Sequence, residues 1–184
     1  MSANNVATAA GLIVRDSATA DLPAIQRIYA HHVLHGFASF EEVPPDIAEL
    51  ARRRDDILAR GLPHLVVERD GTVRAFAYAG PYRLRPAYRY TVEDSVYVAP
   101  DAIGQGLGRA ALTEVISRAT ALGMRQMVAV IGDSGNSASI RLHEALGFRR
   151  AAVLQSVGFK LGRWVDSVIM QRSLGPGDST LPNS

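Results

Sequence analysis

Between Asp21 and His35 the apolar residues Leu22, Ile25, Ile28 and Tyr29, with His32, recur at three- and four-residue spacing. That pattern predicts an amphipathic helix, opened by Asp21 or by Thr19 just before it and broken by Gly36. Leu12 to Arg15, ahead of it, predicts a short strand. Pro44 and Pro45 stop the chain, and Asp46 caps a second predicted helix, Ile47 to Arg60, with Ile47, Leu50, Ile57 and Leu58 on its buried side and Gly61 at its end. The period then changes. His64 to Arg69 and Thr72 to Gly80 flank Asp70-Gly71, a pair that favours a tight hairpin turn. Tyr90 to Val98 predicts another strand, stopped by Pro100. A Gly-rich turn, Gly104 to Gly108, leads into a helix reaching about Leu122, lined by Leu107, Ala111, Val115 and Leu122. Gln126 to Ile131 predicts a buried strand, and Asn136 or Ser137 caps a helix ending at Gly147. Two strands follow, near Ala151 to Lys160 and Trp164 to Met170. The order is β-α-α-β-β-β-α-β-α-β-β, a mixed α/β pattern.

A chain of 184 residues suits one domain. We expect it to span 12–174, with flexible tails at 1–11 and 175–184. The chain has no cysteine. This excludes disulfides, thiolate metal sites and a cysteine acyl-enzyme, and it fits a cytoplasmic setting. No metal is expected. The net charge of +2 is small. The tight basic run Arg52-Arg53-Arg54 is followed at once by Asp55-Asp56, which suits a solvated helix face better than a nucleic-acid patch. No stretch approaches the ~20 apolar residues of a membrane span, and residues 1–11, without a charged start or a long apolar core, do not read as a signal peptide. Nucleic-acid and membrane partners are therefore not expected.

Chemistry concentrates around two glycine-bearing segments. In Val96-Tyr97-Val98-Ala99-Pro100, then Gly104-Gln105-Gly106-Leu107-Gly108-Arg109, a strand runs into a turn that opens a helix. Backbone N–H groups in a helix's first turn have no partner within it and, with the helix dipole, make an anion site. Arg109 can add a charge-assisted contact. A tight strand-to-helix connection would look the same. The segment is neither a Walker A loop nor GxGxxG. Downstream stands Asn136-Ser-Ala-Ser-Ile-Arg-Leu-His-Glu-Ala-Leu-Gly-Phe148. There Asn136 can be a helix cap, and His143 an ordinary helix histidine.

Taken together, the two segments resemble the acetyl-CoA motifs of the GNAT superfamily of N-acetyltransferases. The resemblance implies the GNAT fold, a mixed and mostly antiparallel sheet flanked by about four helices. It places acetyl-CoA along Val96, Tyr97, Val98, Gly104, Gln105, Gly106, Leu107, Gly108, Arg109 and Asn136. His143 falls where many members have a tyrosine near the thioester sulfur. Ile103 departs from the polar residue that usually opens the turn, which removes a side-chain contact but leaves the backbone cradle.

Amide formation from a thioester needs a neutral amine, so a base must take a proton. Glu93, on the strand just before the Gly-rich turn, is the candidate. Asp94 must point to the opposite face, because strand side chains alternate. A strand N–H near Val96 to Val98 can hold the oxyanion, and His143 can protonate the departing thiolate. With no cysteine, direct attack is the natural route.

About Ile13 to Met170 resembles a narrower group, the phosphinothricin and methionine sulfoximine N-acetyltransferases. Tyr29-Ala-His-His, Ala38-Ser-Phe-Glu, Ala77-Tyr-Ala-Gly-Pro, Tyr90-Thr-Val-Glu, Ser95-Val-Tyr-Val, Val128-Ala-Val-Ile-Gly and Gly158-Phe-Lys-Leu-Gly-Arg-Trp-Val-Asp166 carry it. It implies a glutamate-like α-amino acid as acceptor, a homodimer, and catalytic roles for Glu93 and His143. Arg83, Leu84 and Arg85, with Glu93, Asp94, Ser95 and Phe37, are the expected substrate-side residues; Arg83 and Arg85 would meet the substrate's anion. Many relatives have threonine at the Phe37 position. A ring turned inward there would favour a smaller or more apolar amine. Two other readings stay open: acetylation of another small amine or a peptide N-terminus, and a non-catalytic acetyl-CoA sensor.

Overall fold

The computed structural model describes residues 6–8 and 11–182. Its strands form one mixed sheet in the order β1-β2-β3-β4-β5-β6-β8-β7. They are β1 (Val6–Thr8), β2 (Leu12–Asp16), β3 (His64–Arg69), β4 (Thr72–Pro81), β5 (Thr91–Val98), β6 (Gln126–Gly132), β7 (Arg149–Lys160) and β8 (Arg163–Ser173). The helices are α1 (Leu22–His35), α2 (Ile47–Ala59), α3 (Leu107–Ala121) and α4 (Ser137–Ala145). This is the mixed, mostly antiparallel sheet with four helices expected of the sequence.

Two differences concern the termini. β1 lies within the segment read as an N-terminal tail and pairs with β2, Val6 opposite Val14. At the other end Gly177 is buried, and Arg125 donates to the Leu181 carbonyl at 2.8 Å, so part of the expected C-terminal tail packs on the domain.

Local chemistry accounts for the elements. Asp46 caps α2 by accepting the Glu49 N–H at 2.8 Å. Asp70 and Gly71 both have positive φ, the conformation a two-residue hairpin turn requires. The helix faces are narrower than periodicity alone suggests. Leu50 and Ile57 of α2 are buried, whereas Ile47 and Leu58 are exposed, as is Leu122 beyond α3. Each arginine of the basic run has a partner: Arg52 meets Glu49 and Asp56, Arg53 meets Glu41 and Glu49, and Arg54 meets Ser17 and Asp55.

Helices cover both faces of the sheet. Tyr29 of α1 packs edge-on against Tyr97 of β5 and Phe76 of β4. On the other face, α3 comes so close to β5 that a Cβ at Gly108 would lie 3.4 Å from Val98 and from Leu142 of α4. Along β5, then, Tyr97 turns to α1, and Val96 and Val98 turn to α3 and α4. By alternation Glu93 and Ser95 share the α1 side, and Asp94 shares the α4 side.

The break that matters for function lies between β5 and β6. These strands are parallel and pair only from Thr91 opposite Gln126 to Asp94 opposite Ala129. Beyond that point β5 stays with β4 and β6 stays with β8, so the two diverge and open a V in the sheet.

Candidate active site

The V opens into a groove of about 740 Å³. β5 supplies Val96, Tyr97 and Val98 to its wall; the turn and α3 supply Ile103, Gly104, Gly106, Leu107, Gly108 and Arg109. The β6–α4 segment adds Gly132, Asp133, Asn136, Ser139, Arg141 and Leu142, and the α1 end adds His32, Gly36, Phe37 and Ala38. A small cavity of about 50 Å³ sits at the inner end of the V, between Asp94, Ser95, Val96 and Tyr97 on one side and Ala129 to Gly132 on the other, with His143 at its border. Six residues border both spaces (Ala38, Val96, Tyr97, Gly132, Asn136 and Ser139), so they form one continuous site.

At one end of the groove, α3 begins with its N–H groups open. Gly106 is the N-cap, with φ +83° and no side-chain cap. The first intrahelical bond runs from the Ala110 N–H to the Gly106 carbonyl, 3.0 Å. The N–H groups of Leu107, Gly108 and Arg109 therefore lack helical partners and border the groove, as an anion cradle requires. Gln105 differs from expectation. It lies outside the groove wall, its amide engaged with Arg69 and the Asp101 carbonyl. Asn136 caps α4, accepting the Ser139 N–H at 3.3 Å, and also borders the groove, so the cap and site positions coincide.

At the other end, the two neighbouring carboxylates diverge. Asp94 is 6% exposed and lies 3.0 Å from His143 Nε2. Glu93 borders neither the groove nor the inner cavity. Its charge is felt by Tyr78, on the α1 side, and by Arg83 in the loop after β4. Burial raises its pKa above the usual carboxylate range, and the charge of Asp94 adds to this, while Arg83 opposes it. Directly across the ladder stands Gly80, where an added Cβ would meet nothing within 4 Å. The cross-strand position beside Glu93 is thus open. Ser95, on the same face, hydrogen-bonds Tyr78.

His143 is 2% exposed and packs edge-on against Phe148 at 5.0 Å. Burial alone would lower its pKa; the hydrogen bond and charge of Asp94 outweigh that and raise it.

Arg83, Leu84 and Arg85 are exposed and do not reach the groove. They border a separate cavity of about 220 Å³ with Arg60, Tyr88 and Arg89. Of the three, Arg83 alone is electrostatically tied to Glu93. Phe37 does border the groove. The Arg163 guanidinium lies 4.0 Å over its ring, and Arg163 is held in turn by Asp133 at 2.5 Å. His32 was legible only as a position on the buried side of a helix. Its Nε2 donates to the Val98 carbonyl at 2.8 Å, fixing the strand that walls the groove, and burial lowers its pKa.

A parallel pair of strands that splays next to an open helix N-terminus defines an acyl-CoA N-acyltransferase architecture, and the comparisons agree: the acetyltransferase (GNAT) family pattern matches residues 25–148, and the chain belongs to this family. It is 59% identical to the phosphinothricin N-acetyltransferase of Alcaligenes faecalis, over 92% of this chain and 85% of that protein. It is 43% identical to the L-methionine sulfoximine/L-methionine sulfone acetyltransferase of Pseudomonas aeruginosa, over 89% of this chain and 95% of that one. Among solved structures, a GNAT phosphinothricin acetyltransferase from Sinorhizobium meliloti in complex with acetyl-CoA superimposes with a TM-score of 0.92 at 46% identity, covering 95% of this chain and 94% of that chain.

Proposed function

We propose that this protein transfers the acetyl group of acetyl-CoA to the α-amino group of a small glutamate-like amino acid, of the phosphinothricin or methionine sulfoximine type, by direct attack with Glu93 as general base. The observation that carries the reading is the V between β5 and β6, joined by one groove to the open N-terminus of α3. Acetyl-CoA supplies the activated acyl group as a thioester. The N–H groups of Leu107, Gly108 and Arg109 hold its pyrophosphate, and Val96 to Val98 wall the pantetheine arm. Glu93 stands on the opposite face of the sheet, beside the open position at Gly80, and takes the amine's proton. Burial and the charge of Asp94 raise its pKa, the direction that strengthens a general base. Arg83, whose charge acts on Glu93, is the candidate cation for an acceptor's anion.

Acetylation removes the charge of such an amine, so resistance to a toxic amino acid is the expected biological outcome. The absence of cysteine supports a cytoplasmic setting. A homodimer is supported by the edge strand β7, which among the described residues pairs only with β8 and exposes Val153, Leu154, Val157 and Phe159, with Leu161 and Trp164 in the adjoining turn and strand. An apolar sheet edge of this kind calls for a cover.

Phe37 favours a second reading of the acceptor. Its ring borders the groove under Arg163, and a ring in place of a hydroxyl takes up space and removes a hydrogen bond, which supports a smaller or more apolar amine.

The test is thiol release from acetyl-CoA across phosphinothricin, methionine sulfoximine, methionine sulfone, ordinary amino acids, spermidine and a short peptide. Turnover confined to the glutamate-like compounds supports the proposal. Turnover on small apolar amino acids supports the second reading. Acetyl-CoA binding without any turnover would leave only a sensor.

The cradle has its own test. Gly106→Ala meets no atom, yet a side chain at φ +83° costs about 1–2 kcal/mol. If the turn relaxes, titration calorimetry should read a Kd for CoA raised roughly tenfold.

A further inference from the structure

His143 and Asp94 can be counted proton by proton. His143 Nδ1 lies 2.8 Å from the Ser139 carbonyl, which only accepts, so Nδ1 carries a hydrogen. Nε2 faces Asp94 Oδ2 at 3.0 Å. A neutral ring against an ionised carboxylate would set two lone pairs against each other in a buried site. One further proton must therefore lie between them. Among the described residues, Asp94 is the one charge that acts on the ring. β6 contributes Ala129 to Gly132 to the shared cavity, Phe148 packs on the ring, and Glu93 turns to the opposite face of β5. The remaining oxygen, Asp94 Oδ1, is buried without a hydrogen-bond partner. A buried acceptor left open is costly and calls for an explanation. Asp94 borders the cavity at the inner end of the V, so a donor entering there finds that acceptor ready.

The groove runs from the anion cradle at α3 to this cavity, so the reactive end of a bound acyl donor lies beside the pair. We propose that Asp94 is a positioning residue that keeps His143 doubly protonated, so that a stored proton awaits the departing thiolate. The inference rests on the acetyl-transfer reading. As the amine nitrogen bonds to the acyl carbon, Glu93 takes the amine proton. The C–S bond breaks with its electron pair on sulfur, and the pair's shared proton moves to that sulfur. His143 and Asp94 are left with one negative charge between them, and they regain a proton from solvent as Glu93 releases its own.

The test is Asp94→Asn, which keeps the shape and removes the charge. With any amine the wild-type enzyme acetylates, kcat should fall about 10- to 100-fold, a part of what a positioned acid contributes, while KM for acetyl-CoA stays within about twofold. The decisive arm changes the leaving group. With an aryl acetyl thioester, whose thiolate needs no proton to depart, the ratio of wild-type to variant rate should shrink towards one. An equal loss on both donors, or no loss on acetyl-CoA, overturns the proposal. ¹⁵N-histidine spectra of the wild-type protein at neutral pH give a reading independent of the variant and of turnover. Both ring nitrogens of His143 should carry hydrogen, and a singly protonated ring also overturns it. Failure of the wild type to acetylate any amine would count against the acetyl-transfer reading and leave the spectra to decide the pair.

Discussion

Glu93→Gln is expected to lower kcat by about 10²- to 10⁴-fold, the range a positioned general base contributes. Glutamine keeps the length and can still hydrogen-bond, but it cannot take a proton. Glu93 lies outside the groove wall, so CoA binding by calorimetry should be unchanged. The pH profile adds a sign. Burial and the neighbouring charge of Asp94 raise the Glu93 pKa. The base is lost as pH falls through that raised value, so wild-type kcat/KM should decline on the acid side at a pH above the usual carboxylate range. In the variant that limb should vanish, leaving the ionisation of the amine itself. A variant with wild-type turnover would remove Glu93 from the mechanism and move attention to Asp94, the carboxylate that borders the inner cavity.

Much of this arrangement was legible in the sequence. The alternation of β5 already set Glu93 and Asp94 on opposite faces, and the glycines at 104, 106 and 108 already marked the turn. Asp46 and Asp70-Gly71 announced a cap and a hairpin because their signals are local. What stayed hidden depends on distant pairing. That Asp94 meets His143 requires β5 to lie beside α4, a contact across 49 positions. That Gln105 turns away depends on Arg69 from the β3–β4 hairpin. The exposure of Ile47 and Leu58 depends on how narrow a stripe of α2 the sheet covers. The arginines at 83 and 85 could be named as cations, but only the folded loop shows that both border one separate cavity and that Arg83, not Arg85, acts on Glu93.

The loop from Gly36 to Glu41 gives the second large effect. It crosses the end of β6 so closely that a Cβ at Gly132 would lie 1.8 Å from the Phe37 carbonyl oxygen and 3.2 Å from the Phe40 ring. The first contact is with backbone, and that backbone is tethered. Buried Lys160 donates to the Ser39 carbonyl at 2.6 Å, Tyr29 bonds Ser39 and Glu41 at 3.0 Å each, and Arg163 covers the Phe37 ring. Gly132→Ala must therefore break tethers or strain the strand. Overpacking of this kind costs about 1–3 kcal/mol. For a chain of this size that is a fall in Tm of roughly 2–12 °C. Because Phe37 borders the groove assigned to acetyl-CoA, the displaced loop should also raise KM for acetyl-CoA. Gly80→Ala is the natural contrast. It meets no atom within 4 Å and needs no positive φ, so its Tm should match wild type. Yet it fills the open position across from Glu93, and KM for the amine should still rise. A Gly132→Ala protein that melts and turns over like wild type would show that the loop does not lie on β6. A Gly80→Ala protein with unchanged KM would place the acceptor away from Glu93.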